Sequence, residues 1–386
     1  MRDKPKAKAT RGTPKALFLS IEIINQHRRV PKKPFGVQYM IYNSTFFPAI
    51  IAWLTVLAFS GCTTKMDTSL IVQPTSQFSI VSAPTASRTS PIASICYGED
   101  GTLYSLLQHS GHITALNADG EIVRSFPRPD SLSGARKFVG TSIGFGGDHL
   151  FVVDARSHQV QKWSPEGTLQ GVTEMQFLFS PGDTAISPKG EIIHSTEGFS
   201  TDALIAVLDE TGSLKQTFGR VLSAGSLGRT RSVRDSLARE KMPQFLDDSV
   251  LVAAAEGGLV YALHRTRPIL QCYQNGVLRF ERTLDFPELP KIRQTKKIRN
   301  QLLQVPDAYI PFSYWSDIAV AEDGSIYLLL ANQSRHTLYR LDKDGLSPRR
   351  IRGSAARGHL LALHKSRIAV VDAIDRTALI YELPAG

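Results

Sequence analysis

Between Thr141 and Met175 the chain alternates apolar and polar positions with period two, in four short runs: Ser142–Phe145, Leu150–Asp154, Val160–Trp163 and Leu169–Val172. Gly, Asp, Ser or Pro closes each run, so the stretch predicts four strands of one antiparallel meander. A sheet of that size with two apolar faces needs copies of itself to stack against. Copies are present. The middle of each second strand forms a column, Tyr104, Phe151, Ile193, Tyr261, Tyr327 and Ala369, stepping by 47, 42, 68, 66 and 42 residues. A turn precedes it at Asp100-Gly101, Lys189-Gly190, Gly257-Gly258 and Asp323-Gly324, with Asp148 and Ser366 as weaker forms. A second glycine follows at Gly120, Gly167, Gly212, Gly276 and Gly345, where a tight hairpin needs positive φ. Four-stranded units recurring about every 40 residues predict an all-β fold, a six-bladed β-propeller, with seven blades the less favoured count.

The predicted blades are 93–126, 141–175, 184–219, 249–284, 315–352 and 358–383. The last has only three strands, which would leave a sheet edge unpaired. Gln77–Ser82 (QFSIVS), ahead of the first blade, can supply the missing strand and close the ring. Two insertions interrupt the repeat, 220–244 and 285–314. The second contains KIRQTKKIR at 291–299, which predicts a short helix running to Leu303 with Ile292, Ile298 and Leu302 facing inward. Both insertions join a fourth strand to the next first strand, so both are expected over one mouth of the channel as a basic lid. Loops on a rigid scaffold are where binding is usually built.

Charge changes the picture only at the front. The formal net charge is +10, but residues 1–39 carry ten Lys/Arg against Asp3 and Glu22, and 40–61 carry no charged side chain. Residues 62–386 hold 35 basic and 33 acidic groups, so the body is nearly neutral and nucleic acid is not expected as a partner. Phe46–Phe59 is almost wholly apolar and too short for a comfortable membrane span. It ends in Ser60-Gly61-Cys62. A basic region, an apolar core and a small-residue exit describe a secretory signal. With the cysteine directly after the exit, the segment resembles the lipobox of bacterial lipoprotein signal peptides. That resemblance implies cleavage before Cys62 and a lipid on its thiol, although Phe59 stands where the family more often has Leu. Met40 is a second candidate start, one that would discard the basic Lys32/Lys33 region. The domains expected are thus a leader (1–61), a Ser/Thr/Pro-rich tether (62–92) and the propeller (93–386). Cys96 and Cys272 fall in blades one and four, across the ring from each other, and are expected as buried small residues rather than a disulfide.

Two further resemblances concern the body. LFVVDARSHQVQKWSPEG (150–167) and AVVDAIDRTALIYEL (369–383) resemble NHL repeats, in which an apolar strand ends in Asp; Asp154 and Asp372 are expected to accept backbone N–H bonds in the turn. Blades four and five, with PDAYIPFSYWSDIAVAEDGSIYLL (306–330), resemble the six-bladed propeller lipoproteins of Gram-negative bacteria. The resemblance covers roughly 93–383 and implies a cell-envelope location, outer membrane on its periplasmic or surface side, while saying little of activity.

Chemistry-bearing motifs are few. Gly140-Thr141-Ser142-Ile143-Gly144 matches G-x-S-x-G, but that nucleophile needs a strand-to-helix turn, and here the next element is a strand. His109 and His112 straddle a hairpin, where exposed polar residues are expected. The inner strands read SICYG, TSIGFG, TAIS, VLVAAAE, DIAVAED and LLALH, so Glu256 and Asp317 are the acids expected to face the channel. That is too few oxygens for a hard cation. No metal or cofactor is expected. The ligand candidates are Arg229, Arg231, Arg234, Lys296 and Lys297, with Tyr309, Tyr314 or Trp315 stacking nearby, suited to an anionic group. The expectation is a monomeric, lipid-anchored scaffold binding a protein or envelope glycan. The alternative is a propeller hydrolase or lyase working in the channel.

Overall fold

A computed structural model of the chain describes residues 70–80, 90–126, 140–154, 157–175, 182–197, 202–221, 248–302, 313–331, 336–353 and 357–383. The leader and Cys62 lie outside the described residues, as do Arg229, Arg231, Arg234 and Tyr309. Six antiparallel sheets follow one another along the chain. Blade one is β3 (Ile92–Tyr97), β4 (Leu103–Leu107), β5 (Ile113–Leu116) and β6 (Ile122–Phe126). Blade two is β7 (Gly140–Gly146), β8 (His149–Asp154), β9 (Gln159–Trp163) and β10 (Leu169–Glu174). Blade three is β11 (Thr184–Ile186), β12 (Ile192–Ser195), β13 (Ala203–Leu208) and β14 (Leu214–Arg220). Blade four is β15 (Val250–Ala255), β16 (Leu259–His264), β17 (Ile269–Gln274) and β18 (Val277–Thr283). Blade five is β19 (Trp315–Val320), β20 (Ile326–Leu330), β21 (Thr337–Leu341) and β22 (Arg349–Arg352). Blade six has β23 (Leu360–His364), β24 (Arg367–Asp372) and β25 (Thr377–Glu382).

The fourth strand of blade six comes from the front of the chain. Ser76–Ser79, β2, pairs antiparallel with β25, Ser76 opposite Ile380 and Ser79 opposite Thr377. The closing strand is therefore shifted slightly from the expected 77–82, with buried Ile80 just beyond its end. A two-residue strand, β1 (Leu70–Ile71), lies parallel to β22 on the outer edge of blade five. Sequence reading does not anticipate it, because two residues carry no periodicity.

Every member of the second-strand column is buried, and each faces a small residue on the first strand: Cys96, Gly144, Ala185, Ala253, Ala319 and Ala362. That pairing lets large side chains fill the space between blades while the inner strands crowd round the axis. Six hydrophobic clusters result, one between each neighbouring pair of blades, including blades six and one. The ring closes by packing. Cys96 and Cys272 are both partners of column tyrosines and are free thiols; Cys272 is buried as expected, whereas Cys96 is only half-buried because its strand lines the channel. Asp154 accepts the Ser157 N–H at 3.1 Å and Asp372 accepts those of Ile374 and Asp375 at 2.9 and 3.0 Å, the turn role expected of them. No helix among the described residues is long and apolar enough to cross a membrane.

Candidate functional site

First strands begin, and fourth strands end, at the same mouth of the ring, and the loops between second and third strands sit there too. Backbone bonds tie these segments together: Arg265 N–H to Ser249 O at 2.9 Å and Tyr314 N–H to Arg265 O at 2.7 Å. Below this mouth runs a channel of about 500 Å³, lined by the first strands of all six blades.

The insertion after blade four is only partly the expected lid. Its helix, α1 (Leu289–Gln301), starts from an aromatic clamp. Phe286 stacks on Tyr339 at 3.8 Å and meets Trp315 edge-on at 5.7 Å. Glu288 accepts the Tyr339 hydroxyl at 2.8 Å and pairs with Arg350. The helix thereby packs against blade five, and no described residue of 285–314 lines the channel. Leu289, Ile292 and Lys296 form its buried face, spaced three and four apart as a 3.6-residue period requires. Ile298 and Leu302 are 44% and 72% exposed, which corrects the expected inward face: neither falls on the stripe set by Ile292. Lys296 is buried and its pKa lowered by burial, while Lys291, Arg293, Lys297 and Arg299 are exposed. Tyr314 and Trp315 are core residues between blades four and five, so neither presents a ring at a surface. Thus the structure does not gather the sequence-predicted residues that it describes into one site.

It gathers another set. Asp183, just before β11, and Asp317, in β19, line the channel with Arg265, which follows β16. Glu197, after β12, adjoins them at φ 50°, a left-handed conformation uncommon outside glycine. Its carboxylate accepts the Ser249 hydroxyl at 2.8 Å. Asp183 accepts the Val252 N–H at 2.8 Å, and Asp317 accepts the Ile318 and Leu361 N–H groups at 2.8 and 2.7 Å. Both aspartates are half-buried in the channel wall. Burial, reinforced by the Asp183 charge, pushes Asp317 up to about 8; burial also raises Asp183 and Glu197, while Arg265 opposes all three shifts. Among the described residues, the Arg265 guanidinium feels these carboxyls without closing an ion pair on any of them.

Asp183 and Asp317 occupy one position of the repeat, two residues before the small partner of the column; the others there are Ser94, Ser142, Leu251 and Leu360. From this position Ser142 donates to Thr184 O at 2.7 Å, and Asp183 and Asp317 reach the inner strands of the next blades. Inner strands are sheet edges with unpaired backbone groups, and these side chains satisfy some of them. Ser142 lies in a strand and bonds a neighbouring blade, which leaves no nucleophile elbow. Asp183 is missed by sequence reading because the apolar run of the inner strand opens at Thr184, and Arg265 because it sits among scattered bases in HRTRP; aligning the repeat on the column exposes Asp183. Glu256, expected at the channel, is exposed in the turn after β15 instead. His112 is buried against Ser125 (2.7 Å), where an exposed hairpin residue was expected; burial lowers its pKa. Among the described residues no group of three His, Cys, Asp or Glu could hold a metal ion.

No family model matches the chain, and no curated protein does. Solved structures do resemble it. Virginiamycin B lyase from Staphylococcus aureus is 10% identical over 80% of this chain and 88% of its own, with a TM-score of 0.46. The calcium-binding protein regucalcin from Agrobacterium tumefaciens is 12% identical over 82% and 95%, with a TM-score of 0.48. A chain of the mitotic checkpoint complex is 11% identical over 86% and 100%, at 0.49. Likeness at this level carries no functional argument, and the six-bladed assignment rests on the strand pairing described above.

Proposed function

We propose that this protein is a binding or assembly scaffold of the cell envelope, held to the membrane by a lipid on Cys62, that engages a protein or envelope glycan at the mouth where the inter-blade connections emerge. One observation carries the reading. At that mouth a closed ring sets Asp183, Arg265 and Asp317 into the channel wall, with Glu197 adjoining them. Helix α1 leaves the same end of the ring, with Lys291, Arg293, Lys297 and Arg299 exposed. Mixed charge on a preformed concave surface suits selective docking. The test is capture of crosslinked partners by the full chain, wild type against the double variant Lys291→Glu/Arg293→Glu and against Arg265→Gln. A partner held by the wild type and lost by either variant, with unchanged thermal stability, supports the reading; a partner retained by both rules this face out. Cys62→Ala is expected to leave the membrane fraction, and its retention there would reject the anchor.

The second reading, a hydrolase or lyase working in the channel, is favoured by the proton that Asp317 keeps near neutral pH, as a general acid must. It predicts turnover of a channel-sized substrate that Asp317→Asn abolishes.

A further inference from the structure

Arg265 offers five N–H donors to the lumen and closes no ion pair among the described residues. Asp183 and Asp317 face the same lumen, each using backbone N–H bonds that leave lone pairs unspent. A simple anion would satisfy Arg265 but approach three carboxyl groups. A simple cation would satisfy the carboxyls but approach the guanidinium, and a metal ion would also lack ligands among the described residues. A ligand bearing both charges meets neither objection. The cavity of about 500 Å³ lies in the ordinary range for small-molecule sites, and a dipeptide occupies only part of it.

Resting on the reading of this mouth as the ligand face, we propose that the channel binds a small zwitterion of the amino-acid or dipeptide class. Arg265 takes the carboxylate in a bidentate pair, and Asp183 and Asp317 take the protonated amine. Opposite charges at the two ends fix the ligand's orientation, which selects a free peptide terminus over an internal segment. The ammonium group also adds a positive charge beside Asp317, whose proton burial and the Asp183 charge hold in place, so binding near neutral pH releases that proton to the buffer.

Three probes of nearly equal size separate the terms: Ala-Ala, N-acetyl-Ala-Ala, which lacks the ammonium, and Ala-Ala amide, which lacks the carboxylate. Titration calorimetry of the full-length protein at pH 7, in two buffers of different ionisation enthalpy, is expected to show Ala-Ala binding at least tenfold tighter than either blocked form. Only the two probes with a free amine should release a proton. Arg265→Gln should narrow the gap between Ala-Ala and its amide to within threefold. Equal binding of the three probes, or no binding by any of them at 10 mM (about 2.7 kcal/mol of affinity), overturns the proposal. The comparison among probes needs no variant, so it stands even where Arg265→Gln misfolds. Partner capture that survives while all three probes fail would remove the zwitterion and leave the scaffold reading intact.

Discussion

Replacing Asp317 with Asn should reverse sign between acid and alkaline pH. An aspartate in an unfolded chain titrates near 3.8, and burial beside Asp183 pushes this one to about 8. Below about pH 4 both states hold the proton, and above about 8 neither does. Between those limits the folded state keeps a proton that the unfolded state has lost, so stability falls as pH rises, by about 1.4 kcal/mol per unit. Over the whole window the ceiling is about 5 to 6 kcal/mol; water in the lumen screens part of it, leaving about 3 kcal/mol between pH 5 and 9. Asn does not titrate, but its amide nitrogen must face one of the two backbone N–H donors now bonded to the carboxyl, those of Ile318 and Leu361, at a cost of about 1 kcal/mol. The variant should therefore be about 1 kcal/mol less stable than wild type near pH 4, about equal to it at pH 5 and about 3 kcal/mol more stable at pH 9. Urea unfolding followed by the fluorescence of buried Trp163 and Trp315 measures both. Parallel curves, with Asn destabilising at every pH, would mean that Asp317 is ionised throughout, and the electrostatics drawn for the channel would be wrong.

Two further outcomes test the ring itself. At Gly120 φ is +82°, and a Cβ there would run into the ring of Phe78 on the closing strand; Gly120→Ala should cost about 2 to 3 kcal/mol. At Gly171, where a Cβ would meet nothing, the same change should stay within about 0.5 kcal/mol, and equal costs by calorimetry would discard the account of closure. Burial pushes the Cys272 thiol upward and seals it in the core, so it should not react with a disulfide reagent at pH 8 until urea unfolds the chain. Rapid labelling of the folded protein at Cys272 would contradict it.

The fold was legible because a propeller repeats its constraints. Tyr104 and Tyr261 lie far apart in sequence but answer the same packing problem, a large side chain opposite a small one, and the chain states that solution five times, with Ala369 opposite Ala362 as the variant in the last blade. Ser76–Ser79 was legible for the complementary reason, since three strands in the last blade demand a fourth. The site was not. Asp183 and Asp317 come together only because the ring brings blades three and five to one lumen, and Arg265 joins them from a loop of blade four. None of that proximity has a local signature. Lys296 shows the reverse error. In sequence it belongs to a run of bases, yet the helix period turns it inward while Lys297 beside it stays in water.

The pairing of β2 with β25 also governs how the molecule can come into being. Thr75 bonds Ile380 across 305 positions, so a strand from the front of the chain waits for the last one to be made. Until then five blades are assembled with an open seam, and contacts of such long separation form slowly. A product cut short before Thr377 lacks β25, so β2 finds no partner and both ends of the seam keep bare edges. Completion of the last blade is therefore the step that closes the wheel.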